Sequence, residues 1–334
     1  MKVGIITQPL KGNYGGIIQN WALQQVLKKM GHDPITIDYM FSDTWTMWMK
    51  VNISRLMKQI VKPDKGFSYY AKNVVRSRMF DDFIKENIIT TEKVHRYSER
   101  LIENYRLEAL IVGSDQVWRP KYNYKTLYDM FCGFAQHTGV KRISYAASFG
   151  TEEWEYKETQ TEICRELVRN FDGVSVRESS GVDLCKRYFG IDAVQVLDPT
   201  FLLTKEDYCR LINDVEPMCD EWSLAAYVLD PTADKINHIN QTAKKLGLKP
   251  FVVSASRQAL LTPKQWISIF RDAQYVVTDS FHGAVFSMIF EKPFETLGNE
   301  TRGNARFKLI DELKSNNNID ELREKSLVWL KNVI

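Results

Sequence analysis

Short apolar runs that each end in glycine or polar residues, separated by stretches long enough for a helix, constrain the fold of this chain more than any other feature. "KVGIIT" (residues 2–7) leads into the loop "QPLKGNYGG", then Ile18, Ala22, Leu23, Val26, Leu27 and Met30 recur at helical spacing until Gly31, and "ITIDY" (35–39) opens the next run. Strand, glycine-containing loop, helix, strand is a βαβ unit, the building block of a parallel sheet. "EALIVG" (108–113), "RISYAAS" (142–148), "GVSVRE" (173–178) and "AVQVLD" (193–198) continue the series and predict one doubly wound α/β domain over residues 1–200.

The stretch from about 41 to 94 breaks the rhythm. It is rich in Trp, Met, Lys and Arg ("DTWTMWMKVNISRLMK"), lacks strand signals and is expected to be a helical insertion. A second alternation then begins: "SLAAYVL" (223–229), a helix over about 232–246, "KPFVVSA" (249–255), a helix near 263–272, "QYVVTDS" (274–280) and "KPFETLG" (292–298). These runs predict a smaller α/β domain over 201–318, and "IDELREKSLVWLKNVI" (319–334) reads as a closing amphipathic helix. Two domains are also what 334 residues lead one to expect.

Composition narrows the function. A net charge of +3 is too small to mark a nucleic-acid binder, yet it is compatible with an anionic small ligand. The five cysteines are odd in number and show no C-x-x-C spacing, so neither a disulfide framework nor a metal site is expected. The chain enters "KVGIIT" without a leader pattern, and no run approaches 18 apolar residues, so the expectation is a soluble, cytoplasmic protein.

In open α/β sheets ligands bind beyond the carboxyl ends of the strands, so the residues just after each strand are the candidates. "KGNYGG" (11–16) offers Asn13, Tyr14, Gly15 and Gly16, a turn whose glycines admit a ligand to free helix N–H groups, although a plain tight turn uses the same residues. "GSDQVW" (113–118) offers Ser114, Asp115 and Trp118, either a helix cap or a polar and aromatic platform for a sugar or base. Arg177 ends the strand "GVSVRE", where it can pair with Glu178 or grip a phosphate or carboxylate with its planar fork. His282, in "TDSFHG" (278–283), falls where a strand turns into a helix beside Asp279 and Ser280; imidazole is the side chain that exchanges a proton near neutral pH, and also a serviceable helix cap.

Taken in order, "GIITQPLKGNYGGIIQNWALQQVL", "IVGSDQVW", "SYAASFG", "SVRE", "VLDPTFL" and "VVTDSFHGAVFSMIFEKPF" resemble the polysaccharide pyruvyl transferase family over most of the chain. The resemblance implies two Rossmann-like domains facing each other across a cleft, as in GT-B-like folds, and transfer of a pyruvyl group from phosphoenolpyruvate to sugar hydroxyls. It implies His282 and Arg177 as catalytic residues and Asn13 to Gly16 as the donor loop. Many members carry an Arg-Leu pair just before the histidine, where this chain has Ser280 and Phe281. Ser280 therefore falls in the donor site, one cation is missing, and Arg302, Arg306 and Lys308 are candidates to replace it.

The function expected is a transferase that attaches pyruvate as a ketal to a surface or exopolysaccharide repeat unit, with no cofactor beyond the donor and no metal. The acceptor is a glycan or a lipid-linked oligosaccharide; in the latter case the Trp- and Met-rich segment is compatible with contact at the inner membrane face. A nucleotide-sugar glycosyltransferase on the same architecture and a non-catalytic glycan-binding relative are the alternatives.

Overall fold

The computed structural model describes residues 1–40, 78–254, 261–298, 305–316 and 318–334. Six strands form the first sheet: β1 (Lys2–Ile6), β2 (Asp33–Thr36), β3 (Ala109–Val112), β4 (Lys141–Ala147), β5 (Gly173–Val176) and β6 (Val194–Gln195), in the order β2-β1-β3-β4-β5-β6. Four more form the second: β7 (Ser223–Val228), β8 (Lys249–Ser254), β9 (Tyr275–Thr278) and β10 (Phe294–Thr296), in the order β10-β9-β7-β8. All pairings are parallel. Each apolar run of the sequence thus contains or overlaps a strand; most are shortened, while β2 and β4 begin one or two residues before their runs.

Between the strands lie α1 (Tyr14–Lys29), α2 (Arg100–Tyr105), α3 (Glu158–Val168), α4 (Ser179–Leu184), α5 (Lys205–Leu211), α6 (Ala233–Leu246), α7 (Pro263–Asp272), α8 (Phe281–Ile289), α9 (Ala305–Asn316) and α10 (Ile319–Val333). Local signals set several of their starts. Thr262 accepts from the Gln265 N–H ahead of Pro263 at the start of α7, Thr232 caps α6, and Ser280 caps α8 through the Gly283 N–H.

The two faces of each sheet bury alternate side chains, as a period of two requires. Ala109 and Ile111 of β3 join one apolar cluster while Leu110 and Val112 join another. In β7, Leu224, Ala226 and Val228 face a small outer core, and Ala225 and Tyr227 face the large cluster that also holds residues of α1 and α8. That large cluster runs from the first sheet to the second. The closing helix α10 is part of it: Ser326 Oγ accepts from the Leu197 N–H at 3.0 Å, and Arg323 Nε donates to the Phe201 carbonyl at 2.6 Å. The helix that ends the chain is thereby fastened back onto the first domain.

Of the expected insertion at 41–94, residues 41–77 lie outside the described residues. The remainder contains a helical run at 78–87, which buries Phe80 and Phe83 in the large cluster, and parallel bridges from Thr36 to Thr90 and from Tyr39 to Val94. Its end is therefore tied to the β2 edge of the first sheet.

Each sheet reverses its direction of growth once. In the first, the chain steps outward from β1 to β2 and then returns to place β3 on the other side of β1; in the second, it steps from β7 to β8 and returns to place β9 beside β7. Ligands in open α/β sheets bind beyond the carboxyl ends of strands at such reversals. The loops there are 7–13 and 113–119 in the first domain and 229–232 and 279–280 in the second.

Candidate active site

The glycine-rich turn after β1 and the histidine turn after β9 meet. A Cβ built on Gly15 would lie 2.0 Å from His282 Nδ1, so the imidazole occupies the space that a side chain at 15 would need. One residue on, Gly16 faces Asn13 and Asp115, and Asn13 Nδ2 donates to Asp115 Oδ2 at 3.5 Å. Asp115 holds a left-handed backbone (φ +71°), a conformation aspartate tolerates better than most residues, and its carbonyl accepts from the Ser148 N–H at 3.1 Å. Asn13, Gly15, Gly16, Asp115 and His282, all inferred from sequence, are thus gathered at one place.

Beneath them lies a buried charged cluster. Arg177, fully enclosed, donates from Nη1 to Asp198 Oδ2 at 3.1 Å and from Nε to Glu178 Oε1 at 3.0 Å. Its guanidinium lies 4.6 Å from the centre of the Phe281 ring. Asp198 Oδ1 accepts from the Thr200 N–H (3.1 Å) and Oγ1 (2.7 Å); Oδ2 accepts from Ser114 Oγ (3.1 Å) and stands 3.8 Å from His282 Nε2. Glu178 also accepts from Ser148 Oγ at 2.8 Å. Burial by itself would raise the Asp198 carboxyl; the His282 and Arg177 charges and the Thr200 hydrogen bonds outweigh it and hold it below the usual carboxylate range. For Arg177, burial pulls the other way from Glu178, Asp198 and Asp115, and the three carboxylates win: its proton is held more tightly than usual.

The cluster corrects two expectations. Arg177 does not present its fork to the crevice, because Asp198, Glu178 and the Phe281 ring take up its faces. It organises carboxylates under the site. Trp118 is no platform for a sugar: it is fully buried, stacked on Phe131 at 4.8 Å, and its indole N–H donates to the Met130 carbonyl. The same loop does leave Tyr122, Tyr124 and Tyr128 exposed.

Other inferred residues take structural places. The Tyr14 ring packs away from the imidazole, stacked on Trp266 at 5.3 Å, with its hydroxyl donating to the Leu261 carbonyl at 2.8 Å. Ser114 holds Asp198, and Ser280 caps α8. Asp279, beside His282, accepts from the Leu229 and Asp230 N–H groups and from Lys235 Nζ at 2.7 Å, which fixes the loop after β7. Arg302 lies outside the described residues, as does the side chain of Arg306. Lys308 reaches Glu152 of the first domain at 3.7 Å, both ends largely exposed.

Asp198 and Glu178 were not singled out from sequence. The signal was there for Asp198, which ends the run "AVQVLD" just past a strand; for Glu178, only its adjacency to Arg177 pointed to it.

The fold and this cleft define the class of protein: a GT-B-like α/β protein, two Rossmann-like domains with a polar site where their strand-end turns meet. The UDP-N-acetylglucosamine 2-epimerase from Rickettsia bellii shares the fold, with a TM-score of 0.52 at 9% identity over 100% of this chain and 95% of that one. The Methanocaldococcus jannaschii UDP-GlcNAc 2-epimerase in complex with UDP-GlcNAc and UDP is similar at a TM-score of 0.49 and 12% identity, over 95% and 93% of the two chains. No curated protein matches the chain by sequence. The polysaccharide pyruvyl transferase family model matches residues 13–301. The chain belongs to that family and is a transferase.

Among the described residues, no helix is long and apolar enough to cross a membrane, and no group of three or more His, Cys, Asp or Glu is arranged to hold a metal.

Proposed function

We propose that the protein transfers the pyruvyl group of phosphoenolpyruvate to two hydroxyls of one sugar in a surface or exopolysaccharide repeat unit, forming a cyclic ketal. The observation that carries this reading is the meeting of His282 with the Gly15 turn at the amino end of α1. A proton-exchanging ring there stands beside backbone N–H groups suited to an anion. The donor lies along that turn, its charge met by the helix end.

The chemistry then divides into two additions. The methylene carbon of the enol takes a proton while the first sugar oxygen bonds to the neighbouring carbon and loses its own proton. The carbon–oxygen bond to phosphate next breaks, the second sugar oxygen takes its place and gives up its proton, and hydrogen phosphate departs. His282 serves as the acid for the first protonation and as a base for a departing hydroxyl proton. The acceptor approaches from the loop after β3, where Tyr122, Tyr124 and Tyr128 present exposed rings. Ser280 and Phe281, where many family members have Arg-Leu, are accounted for locally: the serine caps α8 and the phenylalanine covers Arg177.

Thermal unfolding with phosphoenolpyruvate and, separately, with a panel of UDP-sugars tests the donor, because a ligand that binds only the folded state raises its stability. Phosphoenolpyruvate is expected to raise Tm. His282→Ala should keep that response but release phosphate about 100-fold or more slowly when envelope oligosaccharides are supplied as acceptor. A rise with a UDP-sugar and none with phosphoenolpyruvate would replace this reading with glycosyl transfer.

A further inference from the structure

We propose that Asp198 is the positioning residue for His282, a carboxylate of the first domain that orients the second domain's imidazole across the cleft. The inference rests on the reading of His282 as the proton-transfer group. Asp198 is held in a way that divides its two oxygens between different tasks. Oδ1 is occupied by Thr200, whose N–H and hydroxyl fix the turn after β6. Oδ2 accepts from Arg177 Nη1 at 3.1 Å, lies 3.1 Å from Ser114 Oγ, whose hydroxyl is equally placed for the Ala146 carbonyl, and stands 3.8 Å from His282 Nε2. A structural turn needs only the first oxygen; the second, held by Arg177 and Ser114, also lies within ion-pair distance of the ring.

This arrangement is itself buttressed. Arg177 is pinned by Glu178 and by the Phe281 ring, and Glu178 by Ser148. Phe281 immediately precedes the histidine, so the stack that orients the guanidinium also orients the amino end of α8. The spacing of 3.8 Å is longer than a hydrogen bond, and catalytic bonds commonly tighten when substrate closes a site.

Charge agrees with geometry. The groups gathered under the ring from the first domain are Arg177, Asp198, Glu178 and Asp115, one cation against three carboxylates. From the second domain, Asp279 is already paired with Lys235. The amino end of α1, beside Gly15, is the opposing positive influence. Of these carboxylates, Asp198 is the one that stands within ion-pair distance of the ring. Nε2 is the ring nitrogen on the Asp198 side, and Nδ1 is the one packed against the Gly15 turn.

The test needs no substrate. With five histidines in the chain, the ring signals of His282 are assigned by their loss in His282→Gln. In wild type, ring ¹⁵N shifts of neutral His282 should place the proton on Nε2; a proton on Nδ1 overturns the proposal. In Asp198→Asn, the His282 titration midpoint should fall by about one unit or more, the effect of removing an opposite charge at this range, while the other histidines stay in place. An unmoved midpoint in folded Asp198→Asn overturns the proposal, and should that variant not fold, the wild-type tautomer still decides. A shifted midpoint in a protein that does not use phosphoenolpyruvate would leave the Asp198–His282 coupling standing and remove only the pyruvyl-transfer reading.

Discussion

The aromatic seam around Tyr14 and Trp266 and the charged seam around Asp198 and Arg177 both join the first domain to the second, and both are closed to solvent. In the first, Trp266 meets Tyr14, Tyr227, Phe270 and Phe286 at centroid distances of 5.0 to 5.3 Å. In the second, nearly every polar atom of Asp198 and Arg177 has a named partner. Apolar contact is non-directional and roughly proportional to area, so the aromatic seam tolerates a change of shape. A buried charge loses its compensation all at once when one partner goes. The first seam crosses between the domains with rings from both; the second is built almost wholly within the first domain and reaches the other through Phe281 and His282.

Substitutions chosen to keep volume should separate the two. Arg177→Met leaves Asp198 and Glu178 buried without their guanidinium and is expected to cost about 3–5 kcal/mol in urea unfolding. A loss near zero would show that the carboxylates find water or protons instead, and that the charged seam is no stricter than the aromatic one.

Trp266→Phe should cost only about 1 kcal/mol by the same measurement, since stacking on Tyr14 survives and the indole nitrogen removed has no hydrogen-bond partner among the described residues. A loss as large as that of Arg177→Met would erase the contrast.

The smallest effect sharpens the comparison from outside both seams. Asp129, in the loop after β3, is pushed up to about 6 by burial, with Arg96 only partly offsetting it, whereas Asp198 is held low by its partners. Because the folded state holds the Asp129 proton more tightly than the unfolded chain, stability falls as pH rises from about 4 through 6. Asp129→Asn removes that loss, and should raise Tm at pH 7.5 by the equivalent of under about 1 kcal/mol while leaving it unchanged near pH 4. Equal melting curves at both pH values would show that the carboxyl is solvated. Asp198 contributes with the opposite sign: its stabilisation is present above the ordinary aspartate range and is lost as pH falls below it.

Much of this architecture could be read from residue order. The period-two burial of β3 and β7 and the helical spacing from Ile18 to Met30 are local patterns, and each became the element it predicted. The rule that strand-end residues are the candidates named Gly15, Gly16, Asp115 and His282, and the fold sets Gly15 against His282 and Gly16 against Asp115. It failed to distinguish Trp118 from Tyr122 and Tyr124, because the direction of a side chain in an irregular loop depends on what packs beneath it. It also left Arg177 facing a ligand when three other residues enclose it.

By itself the sequence determined two parallel sheets, their helices and the places where strands end, since these follow from periodicity and backbone preference over a few residues. Tertiary structure alone decided that Asp198, 84 residues before His282 in the chain, would face it at 3.8 Å across the cleft. No local pattern encodes that distance. It is set by how the two domains pack against each other through the large apolar cluster that spans both sheets.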